Sequence, residues 1–130
     1  MWRSVVAVCV GGSVGCLLRW ALGLWLNSQP TPVPMGTLAA NLIGGYIVGV
    51  AVAFFALNKS LEPAWRYLVI TGFCGGLTTF SSFSAEVVSL LRQDRVMWAM
   101  VTVSLNLFGS LLLTFGGIAT VLGLKSSTSG

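Results

Sequence analysis

The stretch that decides the fold is residues 72–83, Gly-Phe-Cys-Gly-Gly-Leu-Thr-Thr-Phe-Ser-Ser-Phe, which lies inside a segment long enough to span a membrane. Its three glycines and four hydroxyl residues oppose a continuous helix, since each glycine costs about 1 kcal/mol relative to alanine in a helix interior. A bilayer tolerates non-helical backbone only where protein or a wet cavity surrounds it. We therefore predict a helix broken at membrane depth, where membrane proteins commonly bind ions and substrates.

The composition of the 130-residue chain is that of an integral membrane protein. Hydrophobic residues make up 55% of it and charged residues 8%, whereas a soluble domain carries about 25% charged residues. Four segments match the roughly 20 apolar residues that a spanning helix needs, at about 4–26, 35–57, 67–90 and 97–122. We predict an all-α membrane protein with one four-helix domain over 1–124. The polar tail over 125–130 is predicted to be disordered or foreign to the native chain.

Several classes of function are excluded by the residues that the chain lacks. It has no histidine, and therefore no histidine metal site or histidine proton relay. Cys9, Cys16 and Cys74 all fall inside predicted spans, where we interpret them as small packing residues. The sequence contains no phosphate-binding loop, paired carboxylates or Ser-His-Asp set, so it does not predict an enzyme. Its net charge of +4 is spread over loops and does not predict a nucleic-acid surface.

The distribution of lysine and arginine bears on orientation in the membrane, because these residues favour the cytoplasmic side. The loops are short, so successive helices are predicted to run antiparallel. One side of the membrane then holds Arg3, Lys59, Arg66 and Lys125, and the other holds Arg19, Arg92 and Arg95. Two interpretations of this near balance remain open: one orientation set by the first helix, or insertion in both orientations.

Polar residues recur at steps of four in two of the predicted helices. In the last helix they are Thr102, Asn106, Ser110 and Thr114. Steps of four drift slowly around a helix of 3.6 residues per turn, so these residues form a winding stripe that predicts a wet or helix-contacting track. Helix two carries Thr37 and Asn41 with the same spacing. The Asn41 amide needs partners in hydrocarbon, either through an interhelical hydrogen bond or through a ligand.

Four further residues have both an ordinary and a functional interpretation. Phe80 and Phe83 share a helix face, directed either to lipid or toward an anion that the positive ring edges attract. Glu86 follows one turn later, where a carboxylate is functional if it lies within the membrane and merely solvated if it lies at the interface. Arg19 either extends to the lipid headgroups or braces the broken helix.

Small residues spaced i, i+4 predict close helix contacts. The pairs are Gly11 and Gly15, Gly45 and Gly49, and Gly72 and Gly76. We predict that most of this packing lies within one subunit and that at least one pair forms a subunit interface.

Taken together, these residues resemble the Fluc (CrcB) family of fluoride channels over nearly the whole chain. The matching pieces are Gly-Gly-x-x-Gly with Arg19, Met35-Gly-Thr-Leu-x-x-Asn41-x-x-Gly-Gly, Gly72-Phe-Cys-Gly-Gly-Leu-Thr-Thr-Phe-Ser-Ser-Phe-Ser-x-Glu86, and Asn106, Gly109 and Ser110. Thr102 departs from the family pattern, in which a tyrosine can occur at that position.

The resemblance implies a fluoride-selective channel that relieves fluoride toxicity in the bacterial inner membrane. It implies an antiparallel homodimer of four-helix subunits, with two pores and a central structural sodium ion at the breaks of the third helices. The implied fluoride pathway comprises Asn41, Phe80, Phe83, Asn106, Ser110 and Thr114. Backbone carbonyls of Gly75 and Thr78 would hold the sodium, and Arg19, Thr37 and Glu86 would line a vestibule or support the break.

Two other classes of membrane protein fit parts of the sequence. A small multidrug exporter that exchanges protons for organic cations also has four short helices and a membrane glutamate. Its carboxylate usually lies on the first helix, where this chain has Arg19 and no acid. A structural membrane subunit without transport activity would not need the polar stripe together with the glycine-rich stretch.

Overall fold

The computed structural model describes all 130 residues, and every regular element in it is helical. Four helical spans are long and apolar enough to cross a membrane: Trp2–Leu26, Met35–Leu57, Pro63–Arg92 and Val96–Thr128. We refer to them as the first to fourth spans. The prediction of an all-α chain with four membrane spans is confirmed.

The turns between spans follow from local chemistry. Pro63 occupies the first turn of the third span, where its missing N–H costs nothing because that group would have no helical partner. Between the third and fourth spans, Asp94 has φ of 58°, a left-handed conformation that aspartate adopts more readily than most residues. The short turn there reverses the chain within three residues, Gln93 to Arg95.

The third span is not one uniform α-helix. Residues Tyr67–Cys74 form a π-helix, a rare arrangement that is frequent at functional sites. Helical structure ends at Leu77 and begins again at Phe80. Between these residues Thr78 and Thr79 have extended backbones, with ψ of 154° and 120°.

Hydroxyl groups satisfy part of the backbone at this interruption. Thr79 is the N-cap of the helix Phe80–Arg92, and its Oγ1 accepts a hydrogen bond from the Ser82 N–H at 3.1 Å. Thr78 Oγ1 donates to the Cys74 carbonyl at 2.8 Å. Such caps supply partners that the helix ends lack, which explains why threonines stand at these two positions.

All three glycine pairs pack against backbone of the same chain. A Cβ on Gly15 would lie 2.8 Å from the Leu77 nitrogen, and one on Gly49 would lie 3.0 Å from the Thr114 carbonyl carbon. A Cβ on Gly72 would lie 3.0 Å from Gly12, on the first span. The pairs therefore join the first span to the third and the second to the fourth. Contacts within the chain therefore account for the packing of all three pairs, and the subunit interface predicted for at least one of them stays a prediction.

The fourth span extends beyond its predicted end at residue 122 and continues to Thr128. Four of the six residues of the predicted tail are thus helical. Ser127 Oγ and Thr128 Oγ1 donate to carbonyls four residues earlier, at 3.1 and 3.2 Å, and Lys125 lies in the last turn, where a cation interacts favourably with the helix dipole. These local interactions sustain the helix after its apolar residues end.

An ion pair supports the assignment of charged residues to membrane sides. Arg3 Nη1 lies 3.1 Å from Glu62 Oε1, so the start of the first span lies beside the loop that precedes the third. Both side chains are largely exposed, so the pair contributes less than about 1 kcal/mol to stability. The ion pair does place Arg3 and the loop that contains Lys59 at the same end of the molecule.

Candidate functional site

A groove of about 440 Å³ lies beside the extended residues of the third span. It brings together five of the six residues predicted for an anion pathway, and both residues predicted to hold a cation. They are Asn41, Phe80, Phe83, Asn106, Ser110, Gly75 and Thr78. Thr114, the sixth pathway residue, is not among the lining residues and lies one turn beyond Ser110.

The two phenylalanines form an edge-to-face pair at the start of the helix Phe80–Arg92. Their ring centroids are 5.6 Å apart and their planes are inclined at 61°. Phe83 is partly buried, whereas Phe80 is 80% exposed. The prediction that the two rings share a face is confirmed, and that face borders the groove. An edge-to-face pair directs electropositive ring hydrogens in more than one direction.

Asn41 joins the second span to the interruption in the third. Its Oδ1 accepts a hydrogen bond from the Thr79 N–H at 2.8 Å, and its Nδ2 donates to the Thr79 carbonyl at 3.2 Å. Nδ2 also donates to Asn106 Oδ1 of the fourth span at 2.9 Å. The interhelical interpretation of Asn41 is therefore observed, and it links three spans at one point.

The polar stripe of the fourth span is mostly satisfied within the chain. Thr102 is buried and donates to the Trp98 carbonyl, and Asn106 Nδ2 donates to the Thr102 carbonyl at 3.0 Å. The Thr114 hydroxyl lies 3.0 Å from the Gly45 carbonyl and 2.9 Å from that of Ser110. The hydroxyl of Ser110 has no partner within the chain, and it lines the groove. Ser110 is thus the stripe residue whose hydroxyl is free to donate to a ligand.

A second, smaller pocket of about 290 Å³ lies on the other side of Thr79 and holds the three residues predicted for a vestibule. Arg19 Nε donates to the Gly76 carbonyl at 3.0 Å, so the arginine braces the backbone just before the interruption. Thr37 Oγ1 donates to Glu86 Oε1. Glu86 Oε2 is buried and has no hydrogen-bond partner within the chain.

Sequence reasoning missed Thr79, which lines both the groove and the smaller pocket. Both its backbone N–H and its backbone carbonyl are hydrogen-bonded to the Asn41 side chain. The available signal was its position at the end of the glycine-rich run, where a backbone without helical partners must find side-chain ones. The apolar lining from Leu107 and Leu111 was also missed, although each directly follows a residue of the polar stripe.

Comparison with known proteins identifies the family of the chain. The profile of the family described as "CrcB-like protein, Camphor Resistance (CrcB)" matches residues 6–118. The chain is 58% identical over 127 residues to a Nitrosomonas europaea protein named "Fluoride-specific ion channel FluC", covering 98% of this chain and all of that one.

Two further relatives carry the same name. A protein of Pseudomonas putida (strain W619) is 58% identical over 120 residues, which cover 92% of this chain and 94% of the relative. One from Albidiferax ferrireducens is 60% identical over 117 residues, which cover 90% and 89%. Because the family profile matches most of this chain, the chain is a multi-pass membrane protein of the CrcB family.

Proposed function

We propose that this chain forms a fluoride-selective channel through which cytoplasmic fluoride leaves the cell passively. The observation that carries the proposal is the groove, in which an aromatic pair, two asparagines and a free serine hydroxyl meet beside the interrupted third span. The relatives named as fluoride channels support the choice of ion. In the bacterial inner membrane, such a channel would relieve toxicity by releasing fluoride that enters as HF and dissociates inside.

The chemistry of the groove suits a small, strongly hydrated anion. Removing water from fluoride costs free energy unless donors replace it, and a charge in a low-dielectric site interacts more strongly with those donors than in water. The proposed pathway runs along Asn41, Phe80, Phe83, Asn106, Ser110 and Thr114. Along it, ring edges and hydroxyl or amide donors replace water without a full positive charge that would hold the anion too tightly for conduction.

An exporter of organic cations is less consistent with the geometry. Such a carrier needs a carboxylate that titrates in its central cavity. Glu86 is hydrogen-bonded to Thr37 in the smaller pocket and does not line the groove.

Anion efflux from liposomes that contain the purified protein tests the proposed function. We expect fluoride to leave at a rate proportional to its gradient, without a proton requirement, and much faster than chloride. A proton-coupled exchanger would instead depend on a pH gradient. Liposomes whose fluoride efflux equals that of protein-free vesicles would refute channel function.

We further propose that the channel is an antiparallel homodimer with two pores. The near balance of basic residues between the two ends supports insertion in both orientations. The 80% exposure of Phe80, at the edge of the groove, leaves a ring that a second subunit could cover. A groove completed by a partner would also exclude lipid from the anion path.

Labelling of one introduced cysteine tests the dual orientation. Ser28 lies exposed in the loop after the first span, so Ser28→Cys gives a membrane-impermeant thiol reagent a target. We expect about half of the protein to react in intact cells and the rest only in inverted vesicles, as equal insertion requires. The parent chain is the control, because Cys9, Cys16 and Cys74 lie within spans. Reaction from one face alone would contradict the antiparallel dimer.

A structural sodium ion at the interruption is the third part of the proposal. In a continuous α-helix the Thr79 N–H would bond to the Gly75 carbonyl, but it donates to Asn41 instead. The Gly75 carbonyl therefore loses its usual partner. Carbonyl oxygens suit a hard monovalent cation, and the carbonyls of Gly75 and Thr78 would supply them.

Replacement of sodium by N-methyl-D-glucamine on both sides of the liposome membrane tests the cation. We expect fluoride efflux to fall about tenfold or more, because removing a ligand that binds only the assembled state destabilises that state. Added sodium should restore the flux, whereas added N-methyl-D-glucamine should not. Full activity in sodium-free medium, verified by elemental analysis, would contradict a structural sodium ion.

A further inference from the structure

The two asparagines of the groove form part of a hydrogen-bond chain that runs between two backbone groups. It begins at the Thr79 N–H, which donates to Asn41 Oδ1 at 2.8 Å. It continues from Asn41 Nδ2 to Asn106 Oδ1 at 2.9 Å and ends where Asn106 Nδ2 donates to the Thr102 carbonyl at 3.0 Å. The chain crosses from the third span through the second to the fourth.

The direction of this chain is fixed by its two ends. A backbone N–H can only donate and a carbonyl can only accept, so Asn41 must present Oδ1 to Thr79, and Asn106 must present Nδ2 to Thr102. Rotating the Asn41 amide would set its N–H groups against the Thr79 N–H. Rotating the Asn106 amide would set two oxygens against each other at Thr102. Both amide orientations are therefore determined by backbone chemistry.

A count of donors then separates the two residues. Each side-chain amide has two N–H groups. Asn41 gives both to acceptors of the chain, Asn106 Oδ1 and the Thr79 carbonyl. Asn106 gives one to the Thr102 carbonyl and has no second acceptor within the chain. Asn106 is only 5% exposed, and it lines the groove, so its remaining N–H is the amide donor that a ligand in the groove can use.

We propose that Asn106 donates the amide hydrogen bond to the anion, and that Asn41 is a positioning residue that orients Asn106 and holds Thr79. This assignment rests on the proposed fluoride channel and gives the two asparagines different roles in it. Asn41 lines the groove but offers it no N–H. Its contribution is to fix which way the Asn106 amide faces.

Side-chain amide NMR of the dimer in detergent tests the division directly. The chain contains four asparagines, so ¹⁵N-asparagine labelling gives four side-chain NH₂ groups, which Asn→Asp variants assign. On titration with sodium fluoride at constant ionic strength, we expect a proton of Asn106 to shift strongly and those of Asn41 to change little. Asn27 and Asn58 lie at span ends and serve as references, and sodium chloride is the control salt.

A single variant tests the positioning role. In Asn41→Ala, the fluoride response of the Asn106 amide should be lost or reduced several-fold, while the Asn27 and Asn58 signals and the dimer elution volume stay unchanged. A merely structural role would disturb those references as well. An Asn106 response equal to that of the parent protein in Asn41→Ala would refute the positioning role.

The remaining outcomes separate this inference from the proposed function. A fluoride-dependent chemical shift change at Asn41 without one at Asn106 would overturn the donor assignment. Unchanged signals of both amides, in a protein that conducts fluoride in liposomes, would overturn it as well. If the signals of both amides are unchanged and the protein shows no fluoride efflux, the proposed channel function is refuted, and the inference with it.

Discussion

Replacing either Phe80 or Phe83 by isoleucine is expected to reduce fluoride efflux from liposomes about tenfold or more, a loss equivalent to about 1.4 kcal/mol in the transport barrier. Isoleucine keeps the side chain apolar and bulky but removes the aromatic quadrupole. The rings form an edge-to-face pair at the groove, so their electropositive edges act where water is scarce and electrostatic interactions are strong. Flux is measured with a fluoride electrode after equal amounts of folded protein are reconstituted.

The chain offers a matched control for this prediction. Phe54 and Phe55 form another edge-to-face pair, with centroids 5.4 Å apart, near the end of the second span and away from the groove. Phe54→Ile should leave fluoride efflux within about twofold of the parent, because a lipid-facing apolar exchange changes no charge in the pathway. Parent-level flux in both Phe80→Ile and Phe83→Ile would remove the aromatic pair from the proposed pathway.

The four membrane spans and the helix face that carries Phe80 and Phe83 could be predicted from the sequence, because both depend on local patterns of residues. Hydropathy located all four spans, since an apolar run of membrane length has few alternatives. Helical spacing correctly placed Phe80 and Phe83 on one face and aligned Asn106 with Ser110. These inferences need only the helix period and the chemistry of each side chain.

What could not be predicted depends on which neighbour each residue meets. Asn41 had two open interpretations, and the choice between them came from the Thr79 backbone, 38 positions away in sequence. The glycine pairs had the spacing of a subunit interface, but spacing does not distinguish a partner in the same chain from one in another. The π-helix over Tyr67–Cys74 leaves no signature in hydropathy at all.

A pair of adjacent glycines in the fourth span shows how strongly such contacts constrain the fold. Gly117 is buried against the second span, where an added Cβ would lie 2.7 Å from the Val50 nitrogen and 3.1 Å from the Gly49 carbonyl carbon. Gly117→Ala is therefore expected to lower the thermal midpoint of the protein in detergent and to reduce the yield of folded protein. Overpacking typically costs about 1–3 kcal/mol, and here the obstructing atoms are backbone, which cannot rotate away as a side chain can.

Gly116 is the matched control, because a Cβ there would meet nothing within 4 Å. Gly116→Ala gains about 1 kcal/mol of helix propensity without a collision, so its midpoint should equal or exceed that of the parent. Both variants make the same chemical change in the same helix, one residue apart. A difference between them therefore measures the contact between the second and fourth spans, while equal midpoints would show that this contact does not need a glycine. The second span carries Asn41 and the fourth carries Asn106, so forcing the two spans apart should also lengthen the hydrogen bond between these residues across the groove.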